Sequence, residues 1–470
     1  MTSRSGGLLE LVARGKKDVF FTSNPIVSFF HSVYLRSAAF SKEIYVAKPR
    51  NVPEWGHWVD FDLDHRGDLA RQFYLRVSLP TWLPTSAIAA NKTGLVTDAS
   101  GVTFGYCNNV GYQMIDSVQV YQDQVLIHET HGEYLDWRLR QESGFATSLL
   151  INSDVGSYSE SPLGIARSAT FGVLRIPLPI LGNQRIGDPG LPMVALRGQR
   201  YRIRIHLRNL EEIVVASDGR IRPNPWKMPL RIQATATGPI DTTQTTLAKT
   251  AMRGIDMSLE STQLYVPTDV QVYLKAQTLR FPFQTIQFQE FTIEDNQLTA
   301  AAPPFNINFQ FPMAVDFIGS VDRLLLGCRS EASTLAGQRT NLRPASGLSN
   351  RFINNIRLNI ANIDRVRIAD VAAFRETASY WKNCRMGLDL VNTELPQEVY
   401  TLSFGGFDTG EPAGTLNLTR AVLPTIYLTL APTAYDPRNI SRKASVLLYA
   451  ESWNVFAITG GKGKMMFDDS

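Results

Sequence analysis

"YRIRIHL", residues 201–207, sets Tyr201, Ile203, Ile205 and Leu207 on one face and Arg202, Arg204 and His206 on the other. Side chains alternate across a strand but recur every 3.6 residues along a helix, so strict alternation predicts a half-buried β-strand. The same period returns in "FYLRVSL" (73–79), "FNINFQF" (305–311) and "IRLNI" (356–360), which places strands in both halves of the chain. Between such runs, stretches like "HRGD", "NQRIGDPGLP" and "RPNPWKMP" supply the Gly, Pro, Asn and Asp that end strands in turns. Only two short helical candidates stand out, "HGEYLDWRLRQE" from residue 131 and "DVAAFRETASYW" from residue 370. Many strands joined by long loops predict an all-β protein of antiparallel sandwiches or jelly rolls.

With 470 residues, 44% of them apolar, the chain can bury more than one core. "ATATGPIDTTQTTLAKT" (234–250) is rich in Thr and Ala and has no large apolar periodicity, so it reads as a linker. The expected division is an N-terminal arm at 1–25, a first sandwich at 26–238, a linker at 239–252 and a second sandwich at 253–470.

Lys and Arg total 47 against 43 Asp and Glu, and the net charge of +4 is interspersed, which argues against a general nucleic-acid binder, and no specific nucleic-acid partner is expected. Cys107, Cys328 and Cys384 are far apart and show no C-x-x-C spacing, so neither a disulfide framework nor a zinc site is expected. Glu10 interrupts the apolar stretch near the start, and no run reaches the roughly 18 apolar residues of a membrane span.

Motifs that suggest chemistry have simpler readings. Asp60, Asp62 and Asp64 match the first positions of a calcium loop, but His65 replaces its turn Gly and Arg71 its closing Glu, so a strand with an acidic face is expected. His128 and His131 are three apart instead of the zincin's four, and read as surface or turn histidines. "GGKGK" (460–464) lacks the earlier Gly and the Ser or Thr of a phosphate loop, and reads as an exposed basic tail. Asn91, Asn417 and Asn439 meet the glycosylation sequon, which is short enough to arise by chance. No G-x-S-x-G elbow occurs, so Ser/His/Asp hydrolysis has no anchor. With the metal-like spacings read as strand and turn residues, no catalytic residue, cofactor or metal is expected.

An ordered set of longer motifs resembles the major capsid proteins of the nucleocytoplasmic large DNA viruses. It begins with "GGLLELVARGKKDVFFTSNPIVSFFHSVYLRSAAF" (6–40), which contains Asn24, Pro25, Phe29 and Phe30. It continues through "RGDLARQFYLRVSLP" (66–80) with Gly67 and Asp68, "YCNNVGYQMIDSVQV" (106–120), and "HGEYLDW" (131–137) with Gly132 and Glu133. "IPLPILGNQRIGDPGLPMVALRGQRYRIRIHL" (176–207) carries Pro177 and Pro179. "YTLSFGGFDTGEPAGTLNLTR" (400–420) carries Gly414, Asn417 and Arg420, and "LLYAESWNVFAITGGKGKMMF" (447–467) closes the series. The family's "PE--QPSG" is "FDTGEPAG" here, so contacts of that loop are expected to differ.

The resemblance implies two consecutive eight-stranded antiparallel jelly rolls with short helices in loops. It also implies a homotrimer that forms pseudo-hexagonal capsomers of an icosahedral shell, resident in the virion and assembled in the host cell cytoplasm. Neighbouring capsomers and minor capsid and penton proteins would be partners. Residues 1–25 would form an arm at the capsomer base, with Leu8, Leu9 and Val12 as its apolar face and Lys16 and Lys17 drawn to the inner viral membrane or another acidic surface. The competing expectations are a minor or penton capsid protein, or a carbohydrate-binding β-sandwich.

Overall fold

The computed structural model describes residues 39–80, 95–97, 103–142, 153–158, 162–169, 171–181, 184, 188, 190–217, 231–233, 240–241, 255–301, 310–342, 352–368, 398–405, 414–431 and 443–467. The chain divides into Met1–Phe40 and Ser41–Ser470, and the strands and helices below belong to the second unit.

Eight strands of the first half are β1 (Ser41–Ala47), β2 (Trp58–Leu63), β3 (Leu69–Ser78), β4 (Ile115–Gln122), β5 (Val125–His131), β6 (Val173–Pro177), β7 (Tyr201–Leu207) and β8 (Asp256–Tyr265). They pair antiparallel in the orders β1-β8-β3-β6 and β2-β7-β4-β5. The second half repeats this with β9 (Leu279–Ile293), β10 (Gln310–Ala314), β11 (Ser320–Ser330), β12 (Ile353–Ile360), β13 (Ile363–Ile368), β14 (Val399–Ser403), β15 (Thr425–Leu430) and β16 (Ala444–Thr459). Its sheets run β9-β16-β11-β14 and β10-β15-β12-β13. Counted within each half, both read 1-8-3-6 and 2-7-4-5, the strand order of a jelly roll.

That order corrects the expected boundary at residue 253. Asp256–Tyr265 closes the first roll, lying between its first and third strands as β8. Without β8 the edge strand β1 would have no partner in its sheet. The Thr- and Ala-rich stretch therefore leads into the last strand of the first roll, and the passage between rolls is made after Tyr265, through helix α2 (Thr268–Ala276). Within β7 the residues predicted to face inward are fully buried, and Arg202, Arg204 and His206 are half-buried on the other face. "FNINFQF" lies mostly outside the described residues, as does the helix expected from residue 370.

The long strand β16 is covered on both sides, which explains why "SVLLYAES" does not alternate. Val446, Leu448 and Ala450 enter the core of the second roll, whereas Leu447 and Tyr449 join the core of the first. The two cores meet across one sheet.

Candidate functional site

Helix α1 (Gly132–Glu142) follows β5 and is the element that binds the two rolls together. It starts where a Cβ is impossible: one built on Gly132 would stand 2.2 Å from the carbonyl oxygens of both Tyr112 and Ile115. Only glycine lets the chain turn out of β5 this close to the backbone of β4 and its approach.

The next residue, Glu133, is buried and collects three guanidinium groups on one oxygen. Arg208 of the first roll donates to Oε1 at 3.1 Å, Arg329 of the second at 2.9 Å, and Arg339 through Nε at 3.0 Å. Burial alone would raise the Glu133 pKa, but Arg329, Arg208 and Arg339 outweigh it and hold the carboxyl well below the usual carboxylate range. Arg208 is shared with Asp116 at 3.2 Å and Arg339 with Glu212 at 3.3 Å, so each outer arginine has a second anion. For Arg208, burial opposes the charge and Glu133 and Asp116 prevail, which raises its pKa. Arg339 is pressed the other way by burial and by Arg208, yet an arginine stays protonated under such shifts. The knot ties β7, α1 and the β11 region into one network across the junction.

A second buried pair lies beside it. Arg323 on β11 bonds Glu451 on β16, and Tyr134 of α1 donates to the other oxygen of Glu451 at 2.7 Å. Gln184 of the first roll meets Gln284 on β9 with a reciprocal pair of bonds, each 2.7 Å, to that residue's backbone amide and carbonyl. The side chain of Gln184 thus serves the edge of the second roll's sheet as a strand would.

Apolar contacts fill the remainder of the junction. Trp137 stands edge-on to Tyr449 at 5.3 Å, and Phe288 stacks on Tyr449 at 4.8 Å. Gly327 makes room for the indole, because a Cβ there would be 2.6 Å from Trp137. His128 packs edge-on against Phe283 at 6.1 Å. It is buried, and among the described residues neither ring nitrogen has a hydrogen-bond partner, so the surface placement expected for His128 is wrong. Its side chain points into the junction because β5 there is covered by the second roll. His131 is half-buried, with Nδ1 3.3 Å from the carbonyl oxygen of Asp116.

The other residues singled out in the sequence fall in several places. Asp68 is buried and accepts from the Val266 amide at 2.9 Å and Gln271 at 3.1 Å, which fixes the start of the passage between rolls. Gly67 lets that turn approach β8, since its Cβ would lie 2.8 Å from Gln263. Pro177 ends edge strand β6, and its carbonyl accepts from Tyr112; Pro179 is half-buried just beyond. Gly414, Asn417 and Arg420 are exposed, with Leu418 buried between them; the Asn417 side chain accepts from the Arg420 amide at 3.1 Å. Leu8, Leu9, Val12, Lys16, Lys17, Asn24, Pro25, Phe29 and Phe30 lie outside the described residues.

Asp60 takes two bonds from Arg204, at 2.7 and 3.0 Å, as expected of a strand's acidic face. The Arg204 hydrogen bond is the main cause of its lowered pKa, with burial opposing. Cys107 and Cys328 are buried free thiols, each in a roll core, and Cys384 lies outside the described residues. "GGKGK" is no loose tail. Its Lys462–Met465 stretch forms a hairpin with β16, and Gly463 is buried while Lys462 and Lys464 remain exposed.

No sequence signal links Glu133 to Arg208, Arg329 and Arg339, which lie 75 to 206 residues away. A Glu in the first turn of a helix ordinarily reads as a favourable partner of the helix N-terminus. The one visible hint is Arg329 within the otherwise apolar run "LLLGCRS".

Two rolls of identical strand order, fused through a buried charged and aromatic junction, define a double jelly-roll protein. The family profile described as "Major capsid protein N-terminus" matches residues 28–273, just over half of the chain. Capsid protein 1 of Acanthamoeba polyphaga mimivirus is 27% identical over 223 residues, 46% of this chain and 36% of that protein. The major capsid protein of Pyramimonas orientalis virus is 27% identical over 221 residues, 45% of this chain and 49% of that one. The matches thus span less than half the length of either relative. Among solved structures, the PBCV-1 virus capsid superposes with a TM-score of 0.67 at 14% identity, covering 94% of this chain and all of that one. The Faustovirus major capsid protein superposes at 0.61 with 13% identity, covering 95% and 94%. At such identities the structures establish the fold alone. The chain belongs to the major capsid protein family of the large DNA viruses.

Proposed function

We propose that the protein is the principal building block of an icosahedral virus shell, acting as a homotrimer whose six jelly rolls form a pseudo-hexagonal capsomer. The observation that carries this reading is the junction. Buried ion pairs and stacked aromatics make two rolls of one topology into a single rigid body, and rigidity is what a tile needs to keep its edges in register. Three copies close through a heterologous contact repeated about a threefold axis, after which the outer edges recur and can meet neighbouring capsomers, minor capsid proteins and pentons. In this reading the work is binding without chemistry, the protein resides in the virion, and assembly takes place in the host cytoplasm. Residues 1–25 serve as an arm at the capsomer base, and the two rolls meet after Tyr265.

Size-exclusion chromatography with light scattering tests the trimer. A species of about 157 kDa, three copies of 52.4 kDa, is expected at micromolar concentration, and a strict monomer would sink the reading. High abundance in purified particles separates a major from a minor or penton protein.

Arg420, aligned with the family's loop arginine, is exposed on its loop. Arg420→Ala is expected to change unfolding stability by less than about 0.5 kcal/mol, so reduced trimer yield at unchanged melting temperature would assign it to a subunit contact.

A further inference from the structure

One end of the first roll gathers exposed cations and exposed apolar side chains on elements that bond to or pack against one another. The segment before β7 meets the C-terminal hairpin, where the Gly198 amide donates to the Gly461 carbonyl at 3.1 Å and the Gly463 amide to Gln199 at 2.8 Å. The turn between β4 and β5 joins them, since the amide of Asp123 donates to the carbonyl of Arg200 at 2.7 Å. Helix α2 packs beside Met193–Ala195, just ahead of this segment.

Arg197, Arg200, Lys462 and Lys464 are all exposed on these elements. Asp123 on the turn between β4 and β5 and the exposed Asp269 on α2 are acidic groups among them, and one oxygen of Asp123 is taken by the Arg200 amide at 3.0 Å. The apolar side chains are conspicuous. Val125 is 65% exposed at the start of β5, and Val272 and Tyr273 are 59% and 55% exposed on α2, a nine-residue helix with no buried residue. Such a helix gains little from the roll it touches, so its exposed Val and Tyr point to another surface.

We propose that this end of the first roll docks on an anionic lipid surface. Val125, Val272 and Tyr273 enter the headgroup region, while the arginines and lysines face lipid phosphates and carboxylates. Loop-borne cations around short apolar tips suit a headgroup layer, where both kinds of group gain at once. A nucleic-acid strand would leave the valines without a partner, because its binding is carried by phosphate contacts and base stacking. The inference does not rest on the capsomer reading.

Flotation of the purified full chain with vesicles of phosphatidylcholine containing about 30% phosphatidylserine tests it. The protein is expected to rise with these vesicles, to stay behind with pure phosphatidylcholine, and to be released as salt is raised. Lys462→Glu with Lys464→Glu should lower binding about tenfold at an unchanged melting temperature. Val272→Ser with Tyr273→Ser should weaken it without altering the salt response. No flotation, equal flotation with neutral vesicles, or full binding by the charge-reversed variant would overturn the proposal, as would tighter binding to a DNA duplex than to the vesicles. Failure here leaves the light-scattering result for the trimer unaffected, so the two readings fall separately.

Discussion

Glu133→Gln is expected to cost about 3–5 kcal/mol of unfolding stability, the usual penalty for stripping a buried charge network of one partner. The substitution preserves the shape of the side chain while deleting its charge. Arg208, Arg329 and Arg339 would then face one another without the anion they share. Asp116 and Glu212 compensate two of them from partly exposed positions, but Arg329 has its carboxylate contact with Glu133 alone among the ion pairs of the described residues. Arg329→Met should therefore be the milder change, and adding it to Glu133→Gln should recover part of the loss, because the double variant leaves fewer uncompensated cations. Denaturant titration at neutral pH and fixed protein concentration reads all three proteins, with concentration held because assembly adds to apparent stability. Hydrogen exchange should locate the loss at α1, β7 and β11. A cost under about 1 kcal/mol for Glu133→Gln would mean that water or a nearby anion satisfies the arginines and that the knot is not what holds the rolls.

Much of the fold is legible in the sequence, for a simple reason. Strands with one wet face must alternate, and "YRIRIHL" and "IRLNI" do so without exception. β16 and β11 are harder to read because both of their faces are buried, and a strand without a wet face loses its period. The misplaced boundary has a related cause. A stretch poor in large apolar residues looks the same whether it joins two domains or leads back to the last strand of one, and only the pairing of β8 with β1 and β3 decides. The ordered family motifs announce two rolls, but not which residues weld them. Glu133 and Arg329 are ordinary surface residue types by composition, and what makes them consequential is a contact across 196 residues of chain.

His128 shows how such a contact creates a property absent from the sequence. Burial, with a smaller push from Arg138, lowers its pKa from 6.5 to about 4. Above pH 6.5 the ring is neutral in both folded and unfolded chains, so it adds no pH dependence there. As pH falls from 6.5 toward 4, the unfolded chain takes up a proton that the native junction refuses, and stability declines. Below about 4 both states are protonated and the loss levels off, at about 3 kcal/mol for the full displacement. The carboxylates with lowered values, Glu133, Asp60 and Asp116, contribute stability that is present above the carboxylate range and lost only as pH falls through it. The interval between about pH 6.5 and 4.5 therefore isolates the histidine from them. His128→Leu, which fills the site without a titrating group, should flatten the fall in stability over that interval. Chemical denaturation of both proteins at half-unit steps of pH gives the comparison. Parallel curves would show that His128 finds a proton acceptor in the native junction, in which case its two unpartnered nitrogens are not the origin of any acid sensitivity.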